Sequence, residues 1–221
     1  MAGAGFGLIG PATVALGRLV ARYSRAVIEH DRVQIILEAK LPLSPTLWIC
    51  WHEANLLALA LHASVAARPG MAFVPPALNG AAMRGWLEGL GITPVPLAAD
   101  ARRGLGLRHM EAALSEGKDV LIAVDGPRGP RHKIAPGAMW LARSSGVEVR
   151  PIGASSRPAF RLPRWDRLIV PLPRARVTVI IGEALASNTK RAEAQGLAAE
   201  IPATLDRLME RARLATYPGV E

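Results

Sequence analysis

The 221-residue sequence has a single cysteine, Cys50, and this scarcity excludes two kinds of architecture. One thiol cannot form an intramolecular disulfide, and it cannot supply a metal site made of several cysteines. This cysteine usage suits a reducing compartment. Because 50% of the residues are hydrophobic, a substantial core can form without cross-links, and general disorder is excluded.

Acidic residues are also in short supply. The chain has 18 Asp and Glu against 27 Lys and Arg, which gives a formal net charge of +9. A surplus of positive charge points to an anionic partner, which is a nucleic acid, a membrane surface or a phosphorylated small molecule. Most of the cations are arginines, the residues best suited to paired contacts with phosphate.

No uninterrupted apolar run reaches the length of about 20 residues that a membrane-spanning helix needs. The apolar N-terminal stretch is broken early by Arg18, and it lacks the preceding basic region of a signal peptide. Two interpretations of this stretch stay open. It forms either a helix at a membrane interface, with Arg18, Arg22 and Arg25 near lipid phosphates, or an amphipathic helix packed on the domain.

Several well-known catalytic motifs are missing. The stretch HEANL is half of the zinc-protease pattern, but Leu56 stands where the second histidine ligand belongs. Walker loops, dinucleotide-binding glycine patterns and serine nucleophile elbows are absent as well. Cys50 and His52 alternate onto one face of a strand, so they could form a nucleophile pair, or Cys50 could be a small buried hydrophobe.

Apolar strands and amphipathic helices alternate along the sequence. This alternation predicts an α/β fold with a mainly parallel or mixed central sheet covered by helices on both faces, after an N-terminal amphipathic helix. Strands are predicted at 33–37, 47–51, 72–74, 92–97 (an edge strand), 120–124, 147–154 and 177–181. Helices are predicted at 54–67, 79–90, 102–116, 136–146 and 189–215, the last bent near Pro202.

Two of the predicted strands end in residues suited to chemistry. In TLWICWHEANLL a strand is followed by His52, and in VLIAVDGPRGP a strand is followed by Asp125. Sites in open α/β sheets gather at the carboxyl ends of strands. We therefore expect His52 and Asp125 to converge if both strands belong to one parallel sheet. His52 then serves either as a general base or as a structural histidine.

The loop that follows Asp125 has the composition of an anion site. Gly126 and Gly129 allow backbone amides to approach an anion closely. Arg128 can hold a phosphate through two parallel hydrogen bonds, while Arg131 and Lys133 add positive charge. The intervening prolines stiffen the loop and lower the cost of ordering it on binding.

A later segment, RPAFRLPRWDRLIVPLPRAR, interleaves Phe160 and Trp165 with arginines. Aromatic rings and arginines suit base stacking in a nucleic-acid site and also suit a membrane interface, where rings lie at headgroup depth. An irregular surface connection is the third interpretation.

A family resemblance rests on three features of the sequence. These are His52 before a helix, the loop Asp-Gly-Pro-Arg-Gly-Pro after a strand, and VRPIGASS on the next strand. The sequence resembles the bacterial lysophospholipid acyltransferase-like family of the glycerolipid acyltransferase superfamily. It is most similar to the subgroup with a Trp-His pair and an Asp-Gly-Pro-Arg-Gly-Pro loop. The resemblance covers 47–185.

The family pattern can be carried over position by position. His52 matches the family's base, Asp125 and Gly126 stand where an acid and a glycine stand, Arg128 matches the arginine, and Pro151 matches the fourth motif.

One departure concerns the group that orients the base. The family's better-known members have an Asp five positions after the His, and this chain has Leu57 there. Glu53, Asn55 and Asp125 are the candidates for the missing role. We favour Asp125, because adjacent parallel strands lie only about 4.8 Å apart.

The resemblance implies a reaction and a location. A fatty acyl group would move from acyl carrier protein or coenzyme A to a hydroxyl of a lysophospholipid or related phosphate-bearing lipid, without a metal or bound cofactor. His52 would deprotonate the hydroxyl, and Arg128 would hold the acceptor's phosphate. The chain would act peripherally on the cytoplasmic face of the bacterial inner membrane. An N-terminal interfacial helix (1–32) would precede an acyltransferase-like α/β domain (33–221).

Two other functions stay open. The chain could be a lipid- or membrane-binding protein that keeps the fold but lacks catalysis, since the usual orienting Asp is absent. Its charge alone would also allow a nucleic-acid-binding protein. Turnover of an acyl donor separates the first of these from an enzyme, and selective binding to anionic vesicles over RNA separates both from the second.

Overall fold

A computed structural model describes residues 9–66, 68–74, 78–96, 103–185 and 194–217. These residues form an α/β fold. The strands are β1 (Val33–Leu37), β2 (Thr46–Cys50), β3 (Gly70–Val74), β4 (Ile92–Pro96), β5 (Asp119–Ala123), β6 (Glu148–Arg161) and β7 (Ile169–Ile181). The helices are α1 (Ile9–Ile28), α2 (Asn55–Val65), α3 (Leu78–Leu90), α4 (Arg103–Ser115), α5 (Pro136–Ser144) and α6 (Ala194–Thr216), and a 3₁₀ turn covers His52–Ala54.

The strands form one sheet in the order β1-β7-β6-β2-β5-β3-β4. β2 lies at the centre and pairs in parallel with β5 on one side and with β6 on the other. β6 and β7 pair antiparallel, and the other pairings in the described chain are parallel. The predicted mainly parallel or mixed sheet is confirmed, and β4 lies at the edge where the prolines of 92–97 placed it.

Side-chain alternation along β2 divides the core into two layers. Trp48 and Cys50 pack with α1, α2 and α3, whereas Leu47, Ile49 and Trp51 pack with α4, α5 and α6. All five side chains are buried. The continuous apolar run of 47–51 therefore indicates a strand covered on both faces, as the sequence suggested.

Helix α1 packs against α3 at close range. A Cβ atom on Gly17 would lie 2.0 Å from the carbonyl oxygen of Ala82, and Gly85 of α3 makes an equally close approach to α1. The structure shows this helix packed on the domain, and its outer face stays accessible. That face carries Leu16 and Leu19, which are 55% and 58% exposed, and Arg18, which lies 3.8 Å from Glu88. None of the helices in the described part of the chain is long and apolar enough to cross a bilayer.

Strands β6 and β7 are much longer than the sequence analysis predicted. β6 continues past position 154 to Arg161, and β7 begins at Ile169, so the two strands extend as an antiparallel hairpin. The interpretation of this segment as an irregular connection was therefore wrong. Prolines at several positions concealed the strand pattern. A two-stranded hairpin tolerates them because the outward-facing backbone groups of its strands need not donate hydrogen bonds to further strands.

Some expectations concern residues outside the described ranges. Positions 1–8 of the N-terminal helix, 97 of the edge strand, 67 and 102 at helix boundaries, and 189–193 of the last helix fall there, as does 218–221 at the end of the predicted domain. Within the described part, Pro202 lies inside α6.

Candidate active site

The two strand ends singled out in the sequence meet at the carboxyl edge of the sheet. His52 opens the 3₁₀ turn after β2, and Asp125 follows β5, the adjacent strand. The Asp125 Oδ1 atom accepts a hydrogen bond from the His52 backbone N–H at 2.9 Å and lies 3.5 Å from His52 Nδ1. The Asp125 side chain is fully buried, whereas that of His52 remains 19% exposed. The structure thus brings together the expected acid and base.

The orientation of the His52 ring determines which nitrogen can react. Nδ1 is buried and, among the described residues, has no hydrogen bond. At 3.5 Å its contact with Asp125 is an ion-pair distance rather than a formed hydrogen bond. A carboxylate on this side favours the tautomer with the proton on Nδ1, so Nε2 carries the free lone pair. The Trp165 ring contacts the His52 ring in a tilted arrangement, with the two centroids 5.1 Å apart and the planes at 52°.

Asp125 also holds the loop in shape. Its second oxygen, Oδ2, accepts from the backbone N–H of His132 at 3.4 Å. The amide of Gly126 donates to the carbonyl of Ala123 at 3.2 Å, so it is engaged within the turn and is not offered to an anion. A Cβ atom on Gly129 would lie 2.6 Å from the Trp165 ring. These two glycines are therefore explained by their positive φ angles, 68° and 72°, and by close packing.

The cations of the loop divide into two groups. Arg128 and Lys133 are exposed, and within the described part of the chain neither side chain makes a hydrogen bond or ion pair. Arg131 instead donates to Glu53 Oε2 at 2.7 Å. All side-chain donors of Arg128 and Lys133 are thus available to a ligand, whereas Arg131 already has one protein partner.

Glu53 is the centre of a buried ionic cluster and does not reach His52. Its side chain is 3% exposed. Oε1 contacts His132 Nε2 at 2.7 Å, and Oε2 accepts from Arg131 at 2.7 Å and from Arg161 at 2.8 Å. Burial alone would raise the pKa of the Glu53 carboxyl, but the hydrogen bonds and charges of Arg131 and His132 outweigh it and lower the pKa below 4.5. The carboxylate beside His52 is therefore Asp125.

This lowered pKa predicts how Glu53 affects stability in acid. A carboxyl whose pKa is lower in the folded state stabilises that state above its ordinary pKa and loses the contribution as the pH falls through the folded value. We expect Glu53→Gln to lower the free energy of unfolding at neutral pH by about 1–3 kcal/mol. As the pH is lowered below about 4.5, the free energy of unfolding should fall less in Glu53→Gln than in the wild type. Urea unfolding at several pH values measures this difference. Parallel pH profiles for the two proteins would contradict this assignment.

Three residues of this region carried no functional assignment in the sequence analysis. His132 stacks on Trp51 with ring centroids 4.7 Å apart, and its Nδ1 lies 3.1 Å from Asp206 Oδ1. Trp51 Nε1 donates to the same oxygen at 2.8 Å. His132 and Trp51 stand beside the recognised motifs, but Asp206 is on α6, far along the chain, and nothing in its local sequence indicates the contact.

The alternative nucleophile, Cys50, is unsuited to that role. Its side chain is buried, and its Sγ atom lies 3.9 Å from Asn55 Oδ1. Burial, followed by the negative charge of Asp125, raises the pKa of the thiol far above its ordinary range. A thiol that stays protonated is a poor nucleophile. Asn55, the third candidate for orienting His52, faces this thiol.

A second histidine–aspartate pair lies at the opposite edge of the sheet. His62 Nε2 and Asp119 Oδ2 are 3.0 Å apart, and the Asp119 carboxylate also accepts from the backbone of Thr46 and from Trp48 Nε1. Both side chains of the pair are almost fully buried, at 2% and 3% exposure. This pair therefore joins α2 to the beginning of β5 inside the core, in contrast to the accessible pair formed by His52 and Asp125.

Comparisons with known proteins do not assign an activity. No protein-family model matches the chain. An uncharacterized protein of Rickettsia prowazekii (strain Madrid E) is 30% identical over 136 residues. That match spans 62% of this chain and 62% of the relative, less than two thirds of either.

In the described part of the chain, no group of three or more His, Cys, Asp or Glu side chains is placed to hold a metal ion.

Proposed function

We propose that the protein is an acyltransferase that moves a fatty acyl group from acyl carrier protein or coenzyme A to a lipid hydroxyl. The acceptor is a lysophospholipid or a related phosphate-bearing lipid. The observation that carries the proposal is the accessible His52 ring beside the buried Asp125 carboxylate. Arg128 follows Asp125 in the same loop, and its side chain has no partner among the described residues. The family resemblance supports the same chemistry. Transfer of a labelled acyl group to a lysophospholipid tests it.

The proposed reaction needs one base and no cofactor. His52 Nε2 removes the proton from the acceptor hydroxyl while the oxygen attacks the thioester carbonyl. The carbon–sulfur bond then breaks, and the departing thiolate takes the proton back from the imidazolium. Asp125 stabilises the transient positive charge on the ring, so it acts as a positioning residue. The ester and the free thiol are the products.

Arg128 is proposed to hold the acceptor's phosphate. Its guanidinium can donate two parallel hydrogen bonds to one phosphate, a geometry that lysine cannot copy. We expect Arg128→Lys to raise the KM for the acceptor about tenfold and to leave the KM for the donor nearly unchanged. Steady-state kinetics with each substrate varied in turn measures this.

Arg108→Lys is the matched control for this change, because Arg108 is exposed on α4 in the opposite helix layer and its side chain is also unpaired among the described residues. A rise in the KM for the donor alone would move Arg128 to the donor's binding site.

One observation favours a second candidate function, a lipid-binding protein without catalysis. Leu57 occupies the position of the family's usual orienting Asp, and it is fully buried in the core. Binding of lysophospholipid without any acyl turnover would support this candidate.

We further propose that the protein acts peripherally on the cytoplasmic face of the bacterial inner membrane. The outer face of α1 carries exposed Leu16 and Leu19 beside Arg18. Tyr23 of α1 donates a hydrogen bond to the carbonyl of Pro171, so α1 lies next to the hairpin that bears Phe160. Exposed apolar and basic side chains in one region suit a lipid surface with anionic headgroups.

Point substitutions test the membrane proposal better than removal of 1–25, because removal would uncover the packed face of α3. We expect the double variant Leu16→Ser, Leu19→Ser to bind anionic vesicles at least about tenfold more weakly, since each buried leucine contributes about 1.5–3 kcal/mol. The control is Leu105→Ser, Leu214→Ser, which changes exposed leucines of the opposite helix layer. Sedimentation at low and high salt measures binding, and equal binding by both double variants would contradict a role for α1.

A further inference from the structure

A cavity of about 320 Å³ lies between α6, β6 and the loop after β5, next to Glu53. This volume is at the lower end of the range for small-molecule sites and exceeds what a single ion needs. Its lining consists of Glu53, Arg131, His132, Ala154, Ser155, Arg161, Asp206, Met209, Glu210 and Arg213.

Two arginines converge on one atom at the wall of this cavity. Arg131 and Arg161, from the loop and from the end of β6, both donate to Glu53 Oε2, at 2.7 and 2.8 Å. Each guanidinium uses one nitrogen for this contact, and its other N–H donors have no partner among the described residues. At this wall two guanidinium groups face one carboxylate, while over the whole lining three arginines are matched by three carboxylates. Glu53 therefore holds a pair of arginines side by side with donors to spare.

A serine lies on the same cavity. Ser155 lines it, and the Ser155 hydroxyl makes no hydrogen bond within the described part of the chain. A ligand oxygen in the cavity would satisfy this hydroxyl together with the spare donors of the arginines.

The other two carboxylates of the lining are engaged, Glu210 through both oxygens and Asp206 through one. Asp206 Oδ1 faces Trp51 Nε1 and His132 Nδ1, at 2.8 and 3.1 Å. Both oxygens of Glu210 accept from Arg213, at 2.6 and 2.7 Å. The unsatisfied groups of the cavity are thus mainly donors, which favours an anionic ligand.

We propose that this cavity binds the phosphate group of a phosphate ester, with Arg131, Arg161 and Ser155 as its ligands. Donors from a loop and from two positions on β6 surround a tetrahedral oxyanion better than they match a planar carboxylate, and arginine forks suit phosphate oxygens. Glu53 is a positioning residue that sets the spacing of the arginines. The site is separate from Arg128 and does not depend on acyl transfer.

Calorimetric titration at low salt tests the site with three probes: inorganic phosphate, glycerol 3-phosphate and coenzyme A. Their ranking distinguishes free phosphate, the head of a lipid acceptor and the phosphates of a thioester donor as its source. We expect Arg161→Gln to raise the Kd of the best probe at least about tenfold, and Ser155→Ala to raise it about threefold to tenfold. Arg176→Gln, which removes the same charge from the exposed hairpin, should leave the Kd unchanged.

Three results would overturn the proposal. The first is equal binding of the best probe by Arg161→Gln and Arg176→Gln, with unchanged thermal unfolding midpoints showing that both variants are folded. The second is saturable binding that is lost in Arg128→Gln but unaltered in Arg161→Gln, which would assign the phosphate to the loop and leave the proposed acyl transfer intact. The third is the absence of saturable binding of all three probes by the wild type.

Discussion

Replacing His52 by alanine should lower acyl transfer by about a hundredfold to ten-thousandfold, the usual cost of losing a general base. The reason is that His52 Nε2 is the proposed proton acceptor at the carboxyl edge of the sheet. The protein should stay folded, because the ring lies at the surface end of β2 and leaves the buried strand unchanged. Initial rates with a labelled thioester measure the loss.

The matched control is His109→Ala, which makes the same chemical change on the exposed surface of α4. It should transfer acyl groups at the wild-type rate. Near-normal turnover by a folded His52→Ala protein would remove His52 from the mechanism and with it the proposed role of the strand end.

The second large effect is expected from Asp125→Asn. An asparagine amide can still accept from the His52 backbone, but it no longer stabilises a positive ring or favours the proton on Nδ1. We expect kcat to fall by about a hundredfold or more, with little change in either KM. The pH dependence of kcat is the second measurement. Loss of the carboxylate should shift or abolish the part of the profile that reports the base, whereas an effect on the turn alone would leave the shape of the profile unchanged.

Glu53→Gln provides the comparison. Its carboxylate binds Arg131, Arg161 and His132 and does not reach His52, so kcat should fall far less than in Asp125→Asn. The reverse ranking would transfer the positioning role to Glu53.

The central strands and their chemistry could be predicted from the sequence because their signals are local. An apolar run of five residues, 47–51 or 120–124, has the length and composition of a strand buried on both faces, and a polar residue follows each run. The proximity of His52 and Asp125 needed one further condition, that β2 and β5 be neighbours. Strand order is a non-local property, and only the structure supplied it.

The ionic cluster could not be predicted, because its members come from four separate parts of the chain. Glu53 was a candidate for orienting His52 because the two are adjacent in sequence, yet in the 3₁₀ turn their side chains contact different partners. Arg131 was assigned to a ligand by composition alone, and the structure gives it a carboxylate partner. Asp206 of α6 had no distinguishing local signal. Partners contributed by distant elements are determined by packing, which a single sequence does not encode in any short pattern.

The most direct test of the proposed function is acyl transfer from labelled palmitoyl-coenzyme A and palmitoyl-acyl carrier protein to a panel of lysophospholipids, with products identified by mass spectrometry. We expect one donor and one acceptor class to give a diacyl lipid with the wild type and with His109→Ala, and only a residual trace with His52→Ala. Wild-type protein that binds lysophospholipid vesicles but forms no new ester with any donor and acceptor would contradict the proposed enzyme and support a lipid-binding protein.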